Sequence, residues 1–178
     1  MTHTVQDWRV DLIEAHPGLF HPPAGAPEAA EGYPDCEEGW RDLLERACNR
    51  IEAALEGGVF RVLQIKEKYG TLRFYRDGEL SPEAETKVKQ AIALAQARSA
   101  CTCEICGAEG RLYSRGGWLA TACAQHASGE AVPINPGFEN VRIFWEVVEE
   151  RLRTICQRYD RAADALVDVD PKSLGIEE

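Results

Sequence analysis

Four residues in the middle of this 178-residue chain have the types and spacing to hold one metal ion: Cys103, Cys106, Cys123 and His126. They read C-E-I-C, then sixteen residues, then C-A-Q-H. Two short knuckles of the form C-x2-C and C-x2-H each aim two ligands at a common point, and the segment between them is long enough for a small hairpin. The donor set is that of structural Zn2+. With all four positions filled by protein, none is left for a water, so the expected role is structural rather than catalytic. Cys101 precedes the first ligand by two residues. C-x-C is a poorer knuckle than C-x2-C, so Cys101 reads as a neighbour.

Few residues of the chain fit a catalytic constellation. There is no H-E-x-x-H, no G-x-S-x-G and no phosphate-binding glycine loop. The zinc deaminase pattern needs H-x-E with P-C-x2-C, but Thr102 precedes Cys103 and no histidine opens H-x-E. His3, His16 and His21 lie far from the metal module in sequence, and Cys36 and Cys48 have no recognisable base. The reading is a protein that is not an enzyme, with a cryptic hydrolase as the remote alternative. Seven cysteines without a paired framework suit a reduced, cytoplasmic setting. No basic-then-apolar leader opens the chain and no apolar run approaches membrane-spanning length, so neither secretion nor membrane insertion is expected.

The elements that must position the metal site come from periodicity. Val5, Trp8, Leu12 and Ile13 predict a short helix ended by His16-Pro17. Residues 17–35 hold most of the prolines and read as an irregular loop. Trp40, Leu43, Leu44, Ala47, Ile51 and Leu55 make the apolar stripe of a helix over about 38–56, stopped by Gly57-Gly58. Residues 59–66 and 71–75 are rich in β-branched and aromatic types and predict a hairpin turning at Gly70, with Leu63, Ile65, Leu72 and Phe74 inward. Ser81 and Pro82 open a helix reaching about Ser99. A small hairpin about Gly116-Gly117 fills the metal module. The fold class is therefore α+β, divided as an α-α-β-β-α domain (1–99), a zinc-ribbon or knuckle-like module (100–128) and a C-terminal segment (129–178).

In that last segment Val141, Trp145, Val148, Leu152, Ile155, Tyr159, Ala162 and Leu166 recur at steps of four and three without a Gly or Pro among them. This heptad-like seam predicts one long helix. Trp145, Val148, Leu152, Ile155 and Tyr159 are its candidate partner-binding residues, with a homodimer through residues 141–166 as one form of the pairing. Charge adds a second candidate surface. The net charge of −10 divides as −8 over residues 1–58, +3 over 59–126 and −5 over 127–178. Overall acidity opposes non-specific nucleic-acid binding. The basic centre still places Lys66, Lys68, Arg73 and Tyr75 on one hairpin and Arg111 and Arg115 on the other, a pattern that can track phosphates and stack bases.

H-P-G-L-F, E-G-W-x-x-L-L, Q-I-K-E-K-Y-G-T-L-R-F-Y, C-E-I-C-G-A-E-G, G-G-W and C-A-Q-H together give the chain, over residues 8–126, a pattern that resembles a group of small uncharacterised zinc-binding proteins encoded by bacteriophages and prophages. The resemblance implies the zinc ligands and a phage setting, hence the cytoplasm of a bacterial host cell, and no mechanism. The segment after His126 departs from that pattern as an extension. The expected function is a phage accessory protein that binds a host protein or nucleoprotein and modulates it, as an anti-defence (anti-CRISPR-type) inhibitor. The alternative is a zinc-stabilised nucleic-acid-binding or regulatory protein using the basic hairpins.

Overall fold

Helix α1 (Trp8–Ala15) starts where the Asp7 side chain accepts the Arg9 N–H, and it buries Trp8, Leu12 and Ile13. The computed structural model describes residues 7–176; Val5 and His3 lie outside them. A four-residue helix, α2 (Pro17–Phe20), follows within the Pro-rich stretch, with Pro17 at its first position and Leu19 and Phe20 buried. The stripe predicted from the next apolar run forms α3 (Arg41–Ala54), entered through a 3-10 turn at Glu38–Trp40. Strands β1 (Val59–Lys68) and β2 (Thr71–Glu79) make an antiparallel hairpin through Tyr69 and Gly70, both at positive φ. Helix α4 (Pro82–Ser99) is capped by Ser81 Oγ, which accepts the Ala84 N–H.

These elements share one core. Trp40, Leu43, Leu44 and Ile51 from α3 meet Phe60, Val62, Ile65, Leu72 and Phe74 from the hairpin, with Val88, Ala91 and Ala95 from α4. Leu63 is only half-buried, against the expectation that it faces inward. The register slips between Val62 and Gln64, so Leu63 is the extra residue of a β-bulge. The bulge shifts strand parity by one. That is how Phe60 and Val62 join Ile65 in the core, although they lie five and three positions before it.

The metal module contributes β3 (Arg111–Arg115) and β4 (Trp118–Ala122) to a sheet that the short β5 (Glu130–Ala131), from just beyond residue 128, completes in the order β4-β3-β5.

The C-terminal segment corrects the expectation of a long helix. It is a three-stranded antiparallel sheet of β6 (Val141–Val148), β7 (Arg151–Asp160) and β8 (Ala165–Val169), ordered β6-β7-β8. The run V-R-I-F-W-E-V-V favours extended backbone, and Glu149 and Glu150 reverse it in a two-residue turn at φ 50° and 64°. The supposed seam is split across the two sheet faces. Trp145 and Leu152 share one face, while Val148, Ile155, Tyr159 and Leu166 lie on the other.

That second face meets α4, where Tyr159 packs with Leu94, Cys101, Ala97 and Leu166. Asp164, in the turn after β7, fastens the sheet to the helices. It accepts from Tyr159 Oη (2.6 Å), Arg50 Nη2 (2.7 Å) and Arg46 Nη1 (3.4 Å). Among the described residues no helix is long and apolar enough to cross a membrane.

Candidate metal centre

The first knuckle grows out of the end of α4. The Cys103 N–H donates to the Ala108 carbonyl, and the Gly107 N–H returns to the Cys103 carbonyl, both at 2.8 Å. Gly107 sits at φ 77°, a conformation that costs a glycine little. This loop brings the Cys103 and Cys106 sulfurs to one side of a common point. The second knuckle follows β4, where the N–H groups of His126 (3.1 Å) and Ala127 (2.9 Å) both donate to the Cys123 carbonyl. That turn aims Cys123 Sγ and His126 Nδ1 at the same point.

The four ligand atoms lie within 4.8 Å of one another. Cys106 and Cys123 sulfurs are 3.7 Å apart, and His126 Nδ1 lies 3.6 Å from Cys103 Sγ and 3.3 Å from Cys123 Sγ. With metal–sulfur bonds of about 2.3 Å and metal–nitrogen bonds of about 2.0–2.1 Å, a tetrahedron has edges of about 3.8 Å (S–S) and 3.6 Å (S–N). The cluster therefore fits a closed, four-coordinate structural metal site.

Its electrostatics suit anionic sulfur at Cys103 and Cys123; at Cys106 the Ala108 N–H lowers the thiol, but desolvation and the neighbouring Cys103 and Cys123 thiols outweigh it and hold it above its ordinary value. Burial pushes the Cys103 thiol up, but N–H groups of Cys123, Cys106 and Ile105, with His126, outweigh that and hold it below its ordinary value. Cys123 is lowered in the same manner: burial opposes, and the N–H groups of His126 and Gln125 prevail. Cys101 stands outside the ligand cluster. It is buried, its sulfur faces the Arg98 carbonyl at 3.4 Å, and burial raises its thiol.

The module is tied to the rest of the chain by contacts that no local motif announces. Trp40 Nε1 donates to the Thr102 carbonyl (3.0 Å), and the Gly39 N–H to the Glu104 carbonyl (2.7 Å). A Cβ at Gly39 would overlap the carbonyl oxygens of Cys103 and Glu104, so only glycine permits this approach. Thr121 Oγ1 donates to the Gly70 carbonyl at the hairpin turn (2.6 Å). From the C-terminal sheet, Arg161 donates to Thr102 Oγ1 and to the carbonyls of Cys101 and Gly107 (both 3.2 Å). Arg161 thus clamps the back of the first knuckle.

Other residues singled out from sequence are not gathered there. Cys36 and Cys48 are buried, and burial pushes both thiols up to about 12, so neither offers a thiolate near neutral pH. His21 is exposed, with Nε2 2.8 Å from the Phe60 carbonyl, far in sequence from the metal cluster. Lys66, Lys68, Arg73 and Tyr75 share the outer face of β1–β2, while Arg111 and Arg115 belong to the other sheet, bonded to the Val132 carbonyl and Ser128 Oγ. Of the partner-binding candidates, Trp145 and Leu152 are exposed, Val148 and Ile155 half-buried, and Tyr159 buried. Sequence reading missed Arg161 and Asp164; the one available signal was charge flanking a predicted apolar seam.

No protein-family model, curated protein or solved structure matches this chain.

Proposed function

We propose that this chain is a zinc-stabilised binding protein: a phage accessory protein that engages a bacterial host protein or nucleoprotein and inhibits it, in an anti-defence role. One observation carries the binding reading. On a single face of the C-terminal sheet Trp145, Val147, Leu152 and Val167 are 66%, 69%, 68% and 54% exposed. By register Val147 is paired with Leu152 and Trp145 stands next to them on the same face, while Val167 lies at the far end of that face opposite Arg158. A contiguous apolar patch of this kind on a soluble surface marks a contact site, and an exposed Trp is a strong anchor. Acidic stretches on either side of the basic centre supply charge complementarity to a partner that itself holds nucleic acid. The phage setting rests on the sequence resemblance alone.

Zinc is the metal this donor set favours, and its role is to hold the module together. Zinc binding in such modules contributes on the order of 10 kcal/mol of folding free energy. The purified protein should contain one zinc per chain by elemental analysis. Cys106→Ser should lose the zinc and melt the module, while Cys101→Ser should retain it. Full zinc occupancy in Cys106→Ser would overturn the ligand set.

The partner is tested by affinity capture from bacterial lysate with the wild type and with Trp145→Ser/Leu152→Ser. A host protein held by the wild type, rebound when purified and lost with the double variant is the expected result. Equal capture by both would overturn the assignment of the face.

A second reading has its own observation. Tyr75 and Tyr69 are exposed on the first hairpin, with Lys66 Nζ 5.6 Å from the Tyr75 ring and Lys68 Nζ 5.2 Å from the Tyr69 ring. Aromatic rings topped by cations suit base stacking beside phosphate contacts. Salt-dependent binding of single-stranded oligonucleotide, lost with Tyr75→Ala, would favour that reading over the first.

A further inference from the structure

Strand β6 is an edge strand, and its edge is unlike a protected one. It runs eight residues, pairs with β7 without a register break, and has no Pro or Lys. Natural edges are usually short, bulged or guarded by Lys or Pro, because unpaired N–H and C=O groups recruit another strand; the only charges on β6 are Arg142 and Glu146. Val148 and Arg151 flank a two-residue turn, so they form a pair bonded to each other. Glu146, Phe144 and Arg142 then also face β7 with their backbone groups, and Val147, Trp145 and Ile143 point theirs outward. The Val141 N–H, on the same outward phase, is taken by the Phe138 carbonyl at 3.2 Å. For Ile143, Trp145 and Val147 there is no such backbone partner among the described residues.

We propose that β6 pairs antiparallel with β6 of a second copy of this chain, about a two-fold axis through Phe144, to give a continuous sheet β8-β7-β6-β6-β7-β8. A two-fold interface must be self-complementary: if residue i meets j, then j meets i. In this register Arg142 lies opposite Glu146 of the second copy, and Glu146 opposite its Arg142. Ile143 faces Trp145 and Val141 faces Val147, pairing apolar with apolar. The outward backbone groups of Ile143 and Trp145 bond across the axis.

Neighbouring registers do not do this. Centring on Trp145 puts Glu146 opposite Phe144 and Arg142 opposite Val148. Centring on Ile143 puts Glu146 opposite Asn140 and Arg142 opposite Phe144. Arg142 itself is half-buried over the Phe144 ring at 4.8 Å, and neither Arg142 nor Glu146 has an ion-pair partner among the described residues. The pairing is made through the backbone of the strand edge, and it sets Trp145 and Val147 of the exposed face beside Ile143 and Val141 of the second copy; Leu152 on β7 takes no part in it.

The test is light scattering and sedimentation of the full zinc-loaded chain over a concentration series. The wild type should approach twice the 19.8 kDa chain mass. Arg142→Glu alone, or Glu146→Arg alone, places like charges across both symmetric pairs. Each should weaken the dimer about tenfold or more. Mixed together, these two variants put opposite charges at every pair and should associate with each other far better than either does with itself. Ile143→Pro removes an N–H that β7 does not use. It should leave the thermal melt of the monomer near that of the wild type and abolish the dimer. A wild type that stays monomeric throughout the series would overturn the proposal. So would a dimer that ignores both charge reversals and the proline, since that dimer uses another surface.

Discussion

The hairpins β1–β2 and β6–β7 are built alike, and the molecule treats them in opposite ways. Both have strands of eight to ten residues rich in β-branched and aromatic types, joined by a two-residue turn with both φ values positive. In the first hairpin one face closes against α3 and α4, with Phe60, Val62, Ile65, Leu72 and Phe74 buried. In the second, the face that meets α4 is joined largely through Tyr159, Leu166 and the charged bonds of Asp164, while Trp145 and Val147 stand in solvent. Strand-forming sequence is therefore no guide to where stability resides. One hairpin is core; the other is a surface held on by a polar fastening.

Four substitutions sharpen that contrast. The largest loss is expected for Phe74→Ala, because it removes a large buried ring from the shared core. Truncating a buried Phe costs about 3–5 kcal/mol, read as a fall in the midpoint of denaturant unfolding. A neutral result would mean that the first hairpin is no more core than the second.

Next is Asp164→Asn, at about 2–3 kcal/mol, the scale of hydrogen bonds to a charged group left unmade. Its effect should depend on pH. Burial pushes the Asp164 carboxyl up, but the Tyr159 hydroxyl and Arg50 outweigh that and hold it below its ordinary 3.8. A carboxylate lowered in the folded state contributes stability that is present above the unfolded value and lost as pH falls through the folded one. Unfolding of wild type and variant measured from pH 7 down should show the two curves parallel until the ordinary 3.8 is passed and converging only as pH falls through the lower folded value. Curves parallel throughout would remove Asp164 from the fastening.

The third change should stabilise. Glu149 and Glu150 occupy the left-handed region, which costs a side-chain-bearing residue roughly 1–2 kcal/mol. Glu149→Asn with Glu150→Gly supplies the preferred turn residues, so a gain of about 1 kcal/mol is expected. A loss would place the turn elsewhere.

The smallest effect is expected for Trp145→Ser. An exposed side chain away from packing changes stability by no more than about 0.5 kcal/mol. A drop of several kcal/mol would show that this face belongs to the core after all.

Where a signal is short in range, the sequence carried it. The metal ligands are two C-x2-C/H knuckles whose turns are made by neighbouring residues, and the four side chains meet as their spacing requires. The stripe of α3, the Ser81 cap and the turn at Gly70 are local in the same sense. Alternation along β2 correctly buried Leu72 and Phe74. It could not place Leu63, because a bulge is a property of two paired strands and not of one.

The C-terminal segment shows the limit most clearly. Apolar residues at steps of four and three fit a helical seam, yet a strand places residues four apart on one face and three apart on opposite faces. Only the pairing of β6 with β7 distinguishes the two. The turn that permits it is Glu149-Glu150, which lacks the Gly or Asn that would have announced a reversal. Tertiary structure also decided the clamp of Arg161 on Thr102 and Gly107 and the convergence of Arg46, Arg50 and Tyr159 on Asp164. Those contacts join residues from about 50 to 120 positions apart, except for Tyr159 on Asp164. A lone arginine or aspartate has no periodicity, and its partner is chosen by the packing of whole elements.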